Sequence, residues 1–424
     1  MVPFAVMASC TLADESHTAS PGRADWQSIL AESVRSPGEL CRLLGLDPSL
    51  AVEAERAAGG LPLLVPRPFL ARIRRGDPAD PLLMQVLPCA AELSAAPGYR
   101  ADPLGEAEAI CSPGLLRKYR GRILIVAGQS CAVHCRYCFR RHFLNGLQRP
   151  DSPLPMGEGS GARGQGAGGW GQGVGGWGLG PGFRVQGSVS RDLKSQICQS
   201  QITKSPNLQI SKSPNPVAPH PSPLPEGEGT LLGTGLHAIA ADRSIHEVIL
   251  SGGDPLMLAD GELGELAEEL SQIPHVRRLR IHTRLPVMIP QRVTDELIGW
   301  IRGCRLSTVV VVQVNHPAEI DADVACAFAR LVDGGIPVLN QSVLLRGVND
   351  RADVLAELCE RLVDLRAMPY YLHQLDAVAG AAHFEVPIVT GLALLAELRA
   401  RLPGYAVPRY VRELPGGTSK EILG

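Results

Sequence analysis

The 424-residue sequence lacks a charge imbalance, a long apolar run and a recognisable export signal. Its 41 Lys and Arg nearly balance 43 Asp and Glu, so the net charge of −2 gives no electrostatic reason to expect nucleic acid or a membrane as partner. No run reaches the roughly 18 apolar residues that a membrane-spanning helix needs. Residues 1–10 are apolar, but they are short and lack a basic segment. These absences favour the cytoplasm.

Cysteine is not scarce, but the eleven cysteines do not suit a disulfide framework. Such frameworks belong to short secreted chains, whereas this chain is long enough for one large domain or two to three small ones. Hydrophobic residues make up 45% of the chain, enough for a sizeable core. Thiols stay reduced in the cytoplasm, where an iron–sulfur cluster can also survive.

Three of the cysteines, Cys131, Cys135 and Cys138, lie in one loop with the spacing C-x3-C-x2-C after a short apolar strand. Three thiolates on one loop can hold three irons of a cubane cluster. Because no fourth cysteine lies nearby in the sequence, one iron would stay open to a small ligand, which points to chemistry rather than electron storage. The alternative, three reduced core cysteines, fits poorly with the histidine and arginines interleaved among them.

From residue 232 onward, short apolar runs alternate with amphipathic helical patterns. The predicted strands are 247–250, 277–283, 308–314, 336–344 and 369–374, and the predicted helices are 261–272, 291–302, 321–333, 351–365 and 390–401. Such alternation predicts a parallel sheet. With a strand at 123–127 there are six strands, too few for a closed eight-stranded barrel but suited to an open, partial (β/α)6 barrel. Ligands of such folds collect at the C-terminal strand ends.

The other segments are arranged around this core. Residues 1–24 show no clear periodicity and are expected to form a disordered tail. Residues 25–115 have helical spacing and are expected to form a helical N-terminal region that packs against the core. The predicted barrel occupies 116–146 and 230–424. Between its two parts lies a low-complexity insertion, 147–229.

This insertion is rich in Gly, Pro, Ser and Gln, and the near repeats SPLPMGEG and SPLPEGEG lie at its two ends. Its composition cannot bury enough surface to offset the entropy lost on ordering, so we predict disorder. A long surface insertion costs little stability, because loop-closure entropy grows only logarithmically. The alternative is a binding loop in which Trp170 and Trp177 contact a partner, but the glycine-rich flanks cannot fix these rings.

The string CAVHCRYCFRRHF resembles the cluster motif of the radical S-adenosylmethionine (SAM) enzymes. It is most similar to the lysine 2,3-aminomutase family, in particular to the branch that makes β-lysine for modification of elongation factor P. The resemblance implies a radical SAM barrel with a [4Fe–4S] cluster on the three cysteines, SAM and pyridoxal 5′-phosphate (PLP). The methionine amine and carboxylate of SAM would chelate the open iron.

The motif SGGDP follows the strand 247–250. Its glycines allow close backbone approach to a ligand, and its acid can accept a hydrogen bond from an ammonium group, although a plain strand-to-helix turn is the alternative. Beside the cluster motif it resembles the family motif that holds the SAM amino group. The SAM-binding residues implied are Ser251, Gly252, Gly253, Asp254 and His316. For His316, a turn with a satisfied histidine is the alternative.

Lys420 follows a glycine-containing turn in the C-terminal string RELPGGTSK. A lone lysine is usually a surface cation, but this string resembles the family loop whose lysine forms the Schiff base with PLP. Thr418 and Ser419 depart from the glycine-rich pattern. The resemblance also implies phosphate and ring contacts from Lys118, Tyr119, Arg122, Arg284 and Gln341. Taken alone, the cations would be ordinary solvated side chains and Gln341 a polar strand end.

Three further residues match substrate-binding positions of the family. Arg140 matches the arginine that binds the substrate carboxylate, a role that suits its planar fork. Asp376 and Glu413 match the two acids that hold the side-chain ammonium, and two carboxylates would favour lysine over glutamate. Glu413 replaces an aspartate of the free-lysine mutases, and Glu385 departs from the usual His-Phe-Arg.

The sequence therefore predicts a radical SAM, PLP-dependent isomerase that converts L-lysine to β-lysine. The expected partners are L-lysine, an electron donor such as flavodoxin or ferredoxin, and indirectly the elongation factor P lysylation ligase. The chain ends four residues after Lys420, which favours the elongation factor P branch over the longer free-lysine mutases. The alternatives are a free-lysine or glutamate 2,3-aminomutase and, in another class, a non-catalytic iron–sulfur or metal-binding protein inactivated by the insertion.

Overall fold

The N-terminal region is helical, and residues that favour the beginnings and ends of helices mark its helix boundaries. A computed structural model describes residues 25–142 and 228–424, so the predicted tail and most of the predicted insertion lie outside the described residues. Five short α-helices come first in the described part of the chain: α1 Trp26–Ala31, α2 Pro37–Leu44, α3 Pro48–Ala57, α4 Arg67–Leu70 and α5 Pro81–Met84. Helix α2 shows the signals best: the Ser36 side chain accepts a hydrogen bond from the Glu39 N–H, and Gly45 ends the helix at φ 67°.

Within residues 25–142 and 228–424, one sheet contains ten strands in chain order. They are β1 Ile110–Ser112, β2 Leu115–Leu116, β3 Arg122–Gly128, β4 Glu247–Gly252, β5 Arg278–Thr283, β6 Ser307–Val312, β7 Val338–Val343, β8 Met368–His373, β9 Arg409–Arg412 and β10 Glu421–Ile422. Strands β3 to β9 are parallel. Strands β1, β2 and β10 pair antiparallel at the edges.

The predicted fold class is confirmed: strands β3 to β8 are the six predicted strands of a partial (β/α)6 barrel. Pairing runs from β1 to β10, and among the described residues no pairing joins the two ends, so the sheet is open. The seventh parallel strand, β9, was not predicted. It is only four residues long and has arginine at both ends, so it gives almost no apolar signal.

Helices connect the parallel strands, as expected. They are α6 Glu228–Ala241, α7 Asp260–Ser271, α8 Leu285–Met288, α9 Asp295–Gly303, α10 Ala322–Asp333, α11 Ala352–Asp364 and α12 Ile388–Arg401. Helix α10 is typical: Asp321 caps its first turn, and it buries Val324, Ala327, Phe328 and Leu331. This spacing of three and four residues places one apolar stripe toward the core.

The alternation of side chains along β5 separates the core from the interior of the open barrel. Leu279 and Ile281 are buried and belong to the main hydrophobic cluster, which also contains residues of α7, α9 and α10. Arg280 and His282, in the intervening positions, line a central cavity. Because successive side chains of a strand point to opposite faces, one face of the sheet builds the core and the other builds the site.

Candidate active site

A cavity of about 440 Å³ lies inside the open barrel and is lined by residues from β2 through β10. Of the seventeen predicted site residues, His316 lies outside the cavity. The other sixteen line it: Lys118, Tyr119, Arg122, Cys131, Cys135, Cys138, Arg140, Ser251, Gly252, Gly253, Asp254, Arg284, Gln341, Asp376, Glu413 and Lys420. The fold therefore brings distant motifs together at the predicted place, although the roles of the individual residues stay predictions.

The three-cysteine loop follows β3 directly, and its thiols form no disulfide. Burial raises the pKa of Cys138 to about 11 and that of Cys131 well above its ordinary range, and the neighbouring sulfurs add to both effects. Within the described residues, no three His, Cys, Asp or Glu side chains are placed to hold a single metal ion. A cubane cluster has a different requirement, because each thiolate binds its own iron.

The N-terminal helical region fixes this loop through a buried charge cluster. Arg136, which is fully buried, donates from Nε and Nη2 to the two carboxylate oxygens of Glu92, at 2.8 and 2.5 Å. Arg141 donates to the same carboxylate at 2.7 Å. Glu92 was missed by the sequence analysis, because nothing in its local pattern distinguishes it from a surface acid.

The glycines of SGGDP allow this motif to lie directly against the cysteine loop. The Gly253 N–H donates to the Gly128 carbonyl, and the Asp254 N–H donates to the Ser130 carbonyl, both at 2.8 Å. A Cβ on Gly253 would lie 2.2 Å from the Ser130 oxygen, a distance that no side chain tolerates. The close approach of the backbones of the SGGDP motif and the cysteine loop therefore explains why residue 253 is glycine. This reason holds whether or not a ligand also approaches Gly253.

The Asp254 carboxylate is used within the protein. It accepts hydrogen bonds from the Thr283 hydroxyl at 2.7 Å and from the backbone N–H groups of Leu256, Arg284 and Leu285 at 3.0, 2.7 and 3.2 Å. These bonds join the C-terminal ends of β4 and β5. The side chain thus organises two turns, as in the alternative interpretation, and its expected role toward the SAM amine stays a prediction.

Two predicted residues lie in places that differ from those expected. Arg284 was expected at the PLP phosphate, but its guanidinium donates to Cys135 Sγ at 2.8 Å and to Glu319 at 3.0 Å, on the side of the cluster loop. His316 does not line the cavity. Its ring nitrogen accepts the Ala318 N–H at 3.0 Å, which is the satisfied turn of the alternative interpretation.

An ion-pair chain crosses the cavity from Arg140 to Lys420. Glu413 pairs with both Lys420 and Lys118. The Lys118 ammonium also lies 3.6 Å from the buried carboxylate of Glu106, which binds Arg140 through two hydrogen bonds of 2.6 and 2.8 Å. The fork of Arg140, expected to bind a substrate carboxylate, is therefore occupied by Glu106, a residue that the sequence analysis missed.

Asp376 is the carboxylate of the cavity that has no partner. Its side chain makes no hydrogen bond or ion pair with any described residue, and it faces the cavity that Glu413 and Lys420 also line. Burial and the nearby Glu413 carboxylate raise the pKa of Asp376 to about 7. An acceptor that is largely removed from water is costly unless a cation or donor binds it.

Two histidines were also missed. His282 and His373 line the cavity, and the Nε2 atom of each is buried without a hydrogen-bond partner among the described residues. Burial, reinforced by the Lys420 ammonium, lowers the pKa of His373 to about 3 and that of His282 well below its ordinary range. Both imidazoles are therefore neutral at neutral pH. Their strands show alternation, but no motif marks them.

The open parallel barrel and the three-cysteine loop at the C-terminal end of its first long strand together define the radical SAM class of enzymes. No helix in the described part of the chain is long and apolar enough to cross a membrane. A comparison with protein-family models finds no match.

Curated relatives give the family. An L-lysine 2,3-aminomutase from Escherichia coli is 38% identical over 95% of this chain and 96% of its own length. The L-lysine 2,3-aminomutase from Haemophilus influenzae is 36% identical over 94% of this chain and 95% of its own length. The enzyme of the same name from Clostridium subterminale is 29% identical over 93% of this chain and 77% of its own length. The solved structure of a radical SAM methyltransferase from Sphaerobacter thermophilus matches 43% of this chain and 57% of its own chain, with 18% sequence identity and a TM-score of 0.32. This similarity is too low to support the family assignment.

The chain belongs to the lysine 2,3-aminomutase family. The cofactors of this family are a [4Fe–4S] cluster, SAM and PLP, and the donors of the cavity fit them. Three free thiols suit the irons, and a lysine that lines the same cavity suits the PLP aldehyde. The side chain of Arg122 makes no hydrogen bond or ion pair with a described residue, and it suits a phosphate; its guanidinium lies 5.3 Å from the Tyr119 ring centroid.

Proposed function

We propose that this protein isomerises L-lysine to β-lysine by migration of the amino group from carbon 2 to carbon 3. The observation that carries the proposal is the unpartnered Asp376 carboxylate, which lines the same cavity as Glu413, Lys420 and the cysteine loop. Glu413 is already paired with two lysines, whereas the Asp376 carboxylate has no cation, and the side-chain ammonium of a lysine substrate would supply one.

The cofactors, when bound, supply the radical that removes hydrogen and the conjugated ring that spreads the unpaired electron. The protein supplies position and charge. Lys420 can react with an aldehyde only when its amine is free of other partners, and in this structure it is ion-paired with Glu413. A substrate ammonium that binds between Asp376 and Glu413 would compete for this carboxylate and release Lys420.

Arg140 is proposed to orient the other end of the substrate. Its Nε and Nη2 bind Glu106, while its Nη1 donates to the Ser251 hydroxyl at 2.9 Å. The guanidinium is thus held rigidly in the cavity wall. We infer that the substrate carboxylate either takes a remaining N–H of Arg140 or replaces Glu106 as its partner.

The choice of substrate follows from the charges. Glutamate would place a third carboxylate beside Asp376 and Glu413, and like-charge repulsion disfavours it. We therefore favour lysine over glutamate. A non-catalytic metal protein would need neither a lysine nor an unpartnered acid in the same cavity as its cysteines.

We further propose that the product serves the elongation factor P lysylation ligase, that a flavodoxin or ferredoxin supplies the electron, and that the protein works in the cytoplasm. The resemblance of the string CAVHCRYCFRRHF supports this branch.

The decisive experiment is turnover by the anaerobically reconstituted protein with SAM, PLP, dithionite and L-lysine, with β-lysine measured by chromatography and mass spectrometry. We expect β-lysine from the parent and none from Lys420→Ala. L-glutamate serves as the matched substrate control. An intact cluster and bound PLP without β-lysine would refute the proposal, and β-glutamate formed in its place would identify the other mutase.

A further inference from the structure

Arg284 contacts one of the three cysteines that would hold the cluster. It comes directly after β5, and its Nη1 donates to Cys135 Sγ at 2.8 Å. The arginine is only 6% exposed, so water screens this contact little. The phosphate role that the family resemblance implied for Arg284 does not explain why its charge lies against a cysteine sulfur.

Two buried side chains fix the guanidinium of Arg284 in this place. Its Nη2 donates to Gln85 Oε1 at 2.7 Å and to Glu319 Oε2 at 3.0 Å. Gln85 and Glu319 are fully buried, and Gln85 Nε2 donates to Glu319 Oε1 at 3.1 Å. Because the two acceptors bind each other as well as the arginine, the guanidinium cannot leave Cys135 without breaking several buried hydrogen bonds.

Gln85 also fixes the backbone of the cysteine loop. This residue follows α5 in the N-terminal helical region, and its carbonyl accepts the Arg136 N–H at 2.9 Å. Arg136 is the residue directly after Cys135. One side chain of the N-terminal region therefore holds the guanidinium, while its backbone holds the loop that carries the sulfur. The contact between Arg284 and Cys135 is thus built by three parts of the chain.

The guanidinium has more donors than the protein uses. Arg284 Nε is buried without a hydrogen-bond partner among the described residues. A buried donor that lacks an acceptor is unfavourable. A surplus of buried donors next to Cys135 suits an anionic group at this place, and an iron–sulfur cluster held by thiolates is such a group.

A cationic donor at a ligand sulfur favours the reduced form of a cluster. Reduction transfers one electron from the reductant to the cluster, and no bond forms or breaks. A fixed positive charge stabilises the added negative charge, more strongly in a buried site than in water. Hydrogen bonds to the sulfurs are among the features that set the reduction potential. Glu319 carries the opposite charge, but it binds Nη2 of Arg284, whereas Nη1 contacts the sulfur.

We propose that Arg284 is a positioning residue for the reduction of the cluster: its hydrogen bond to Cys135 raises the reduction potential, and Gln85 and Glu319 hold it in place. The electron would come from the flavodoxin- or ferredoxin-class donor. This inference rests on the proposed function only in taking the three cysteines as ligands of the cluster. It requires neither PLP nor the lysine substrate, so it can be tested without turnover.

The test is an anaerobic redox titration of the full chain with its cluster reconstituted, without SAM, PLP or L-lysine. Electron paramagnetic resonance measures the reduced cluster, and iron and sulfide are assayed per chain. In Arg284→Met, which removes the charge and the donors, we expect reduction to become at least about tenfold less favourable. This lowers the midpoint potential of a one-electron couple by about 59 mV. Arg284→Lys keeps the charge and should recover part of the shift.

Two further variants separate the potential from stability. Arg292→Met is the matched control, because Arg292 is also fully buried and pairs with Asp260 at 3.0 Å, but its other bonds are to backbone carbonyls. It should lose stability without a change in potential. The double variant Arg284→Met/Glu319→Gln leaves no unpaired buried carboxylate. It should show the lowered potential even if Arg284→Met alone folds poorly.

Three outcomes would overturn the inference. One is an unchanged midpoint potential in the variants that lack Arg284, and another is an equal shift in Arg292→Met, which would show general loosening of the fold. The third is loss of iron from the Arg284 variants at an unchanged potential of the remaining cluster. Failure of the parent to form a cluster would overturn the proposed function as well. A parent that shows the predicted shifts but makes no β-lysine would refute the proposed function alone.

Discussion

The Lys420 ammonium is paired with the carboxylate of Glu413, seven residues earlier in the chain. This places a lysine side chain of the protein at the carboxylate that we assign to the ammonium of the substrate. The ammonium groups of Lys420 and of a lysine substrate are chemically equivalent. Lys420 therefore occupies the proposed substrate subsite until the cofactor and the substrate displace it. Lys118 shares the same carboxylate, and Glu413 thus balances two lysines.

Replacing Glu413 with Gln should therefore affect substrate binding strongly. The amide keeps the shape but removes the charge that the ammonium needs, and a hydrogen bond to a charged group contributes about 1.5–3 kcal/mol. We expect the KM for L-lysine to rise by about tenfold or more, as follows from that energy. Steady-state β-lysine formation measures it.

The matched control is Glu421→Gln. Glu421 is an acid in the same C-terminal segment, but it pairs with Arg412 at the surface, with both side chains more than a third exposed. Its loss should leave the KM unchanged. A normal KM in Glu413→Gln would place the ammonium subsite elsewhere.

The stability of the protein should depend on Asp376 in a pH-sensitive way. Its pKa of about 7 in the folded protein exceeds the ordinary value of 3.8, so the folded state binds the proton more tightly than the unfolded state. Stability is then lost as pH rises between these values, up to about 4 kcal/mol above pH 7. Without PLP and lysine, Asp376→Asn should stabilise the protein at pH 8 and progressively less toward pH 4.

Urea unfolding of parent and variant across this pH range measures the difference. Asp353→Asn is a suitable control, because this exposed acid is paired with Arg351 at the surface. A constant difference between parent and Asp376→Asn from pH 4 to 8 would contradict the titration of Asp376 in this range.

The regular parts of the fold could be predicted from the sequence, because they depend on local periodicity. The strands β3 to β8 carry apolar runs long enough to recognise, and the cysteine loop is marked by its spacing. Strand β9 was not predicted, because it has no apolar run of its own. It forms a strand through its pairing with β8.

The partners of the charged residues could not be predicted, because they depend on tertiary packing. Glu106 lies in a segment without strand periodicity, and only the folded chain brings it to Arg140. Arg280 and Arg284 both line the cavity from neighbouring positions of one segment. Spacing alone does not tell that Arg284 contacts Cys135 whereas Arg280 contacts Glu247.

Gly253 should tolerate no side chain. A methyl group there would lie 2.2 Å from the Ser130 oxygen, which belongs to the backbone of the cysteine loop and cannot rotate away. We expect Gly253→Ala to destabilise the protein by about 2 kcal/mol or more, by overpacking, and to lower the iron content per chain after reconstitution.

Gly261→Ala is the control for this change. Gly261 lies in α7, and a Cβ there would meet nothing within 4 Å. Alanine is the better helix former, so this variant should be neutral or slightly more stable. Full iron loading in Gly253→Ala would show that the loop can move away from the SGGDP motif without losing the cluster.

Glu92 joins the N-terminal helical region to the cysteine loop. Its carboxylate accepts from Arg136 and Arg141, and all three side chains are buried. Removing one partner of a buried ion pair leaves an uncompensated charge and typically costs about 3–5 kcal/mol. We therefore expect Glu92→Gln to unfold at lower urea concentration and to hold less iron.

Glu397→Gln provides the comparison, because Glu397 pairs with Arg401 on the surface of α12, with both side chains about half exposed. Such a pair contributes less than about 1 kcal/mol, so this variant should behave like the parent in both measurements. If Glu92→Gln lost stability but kept its full iron content, the N-terminal region would support the fold without positioning the cluster loop. Loss of iron at unchanged stability would instead mean that this ion-pair cluster acts on the loop alone.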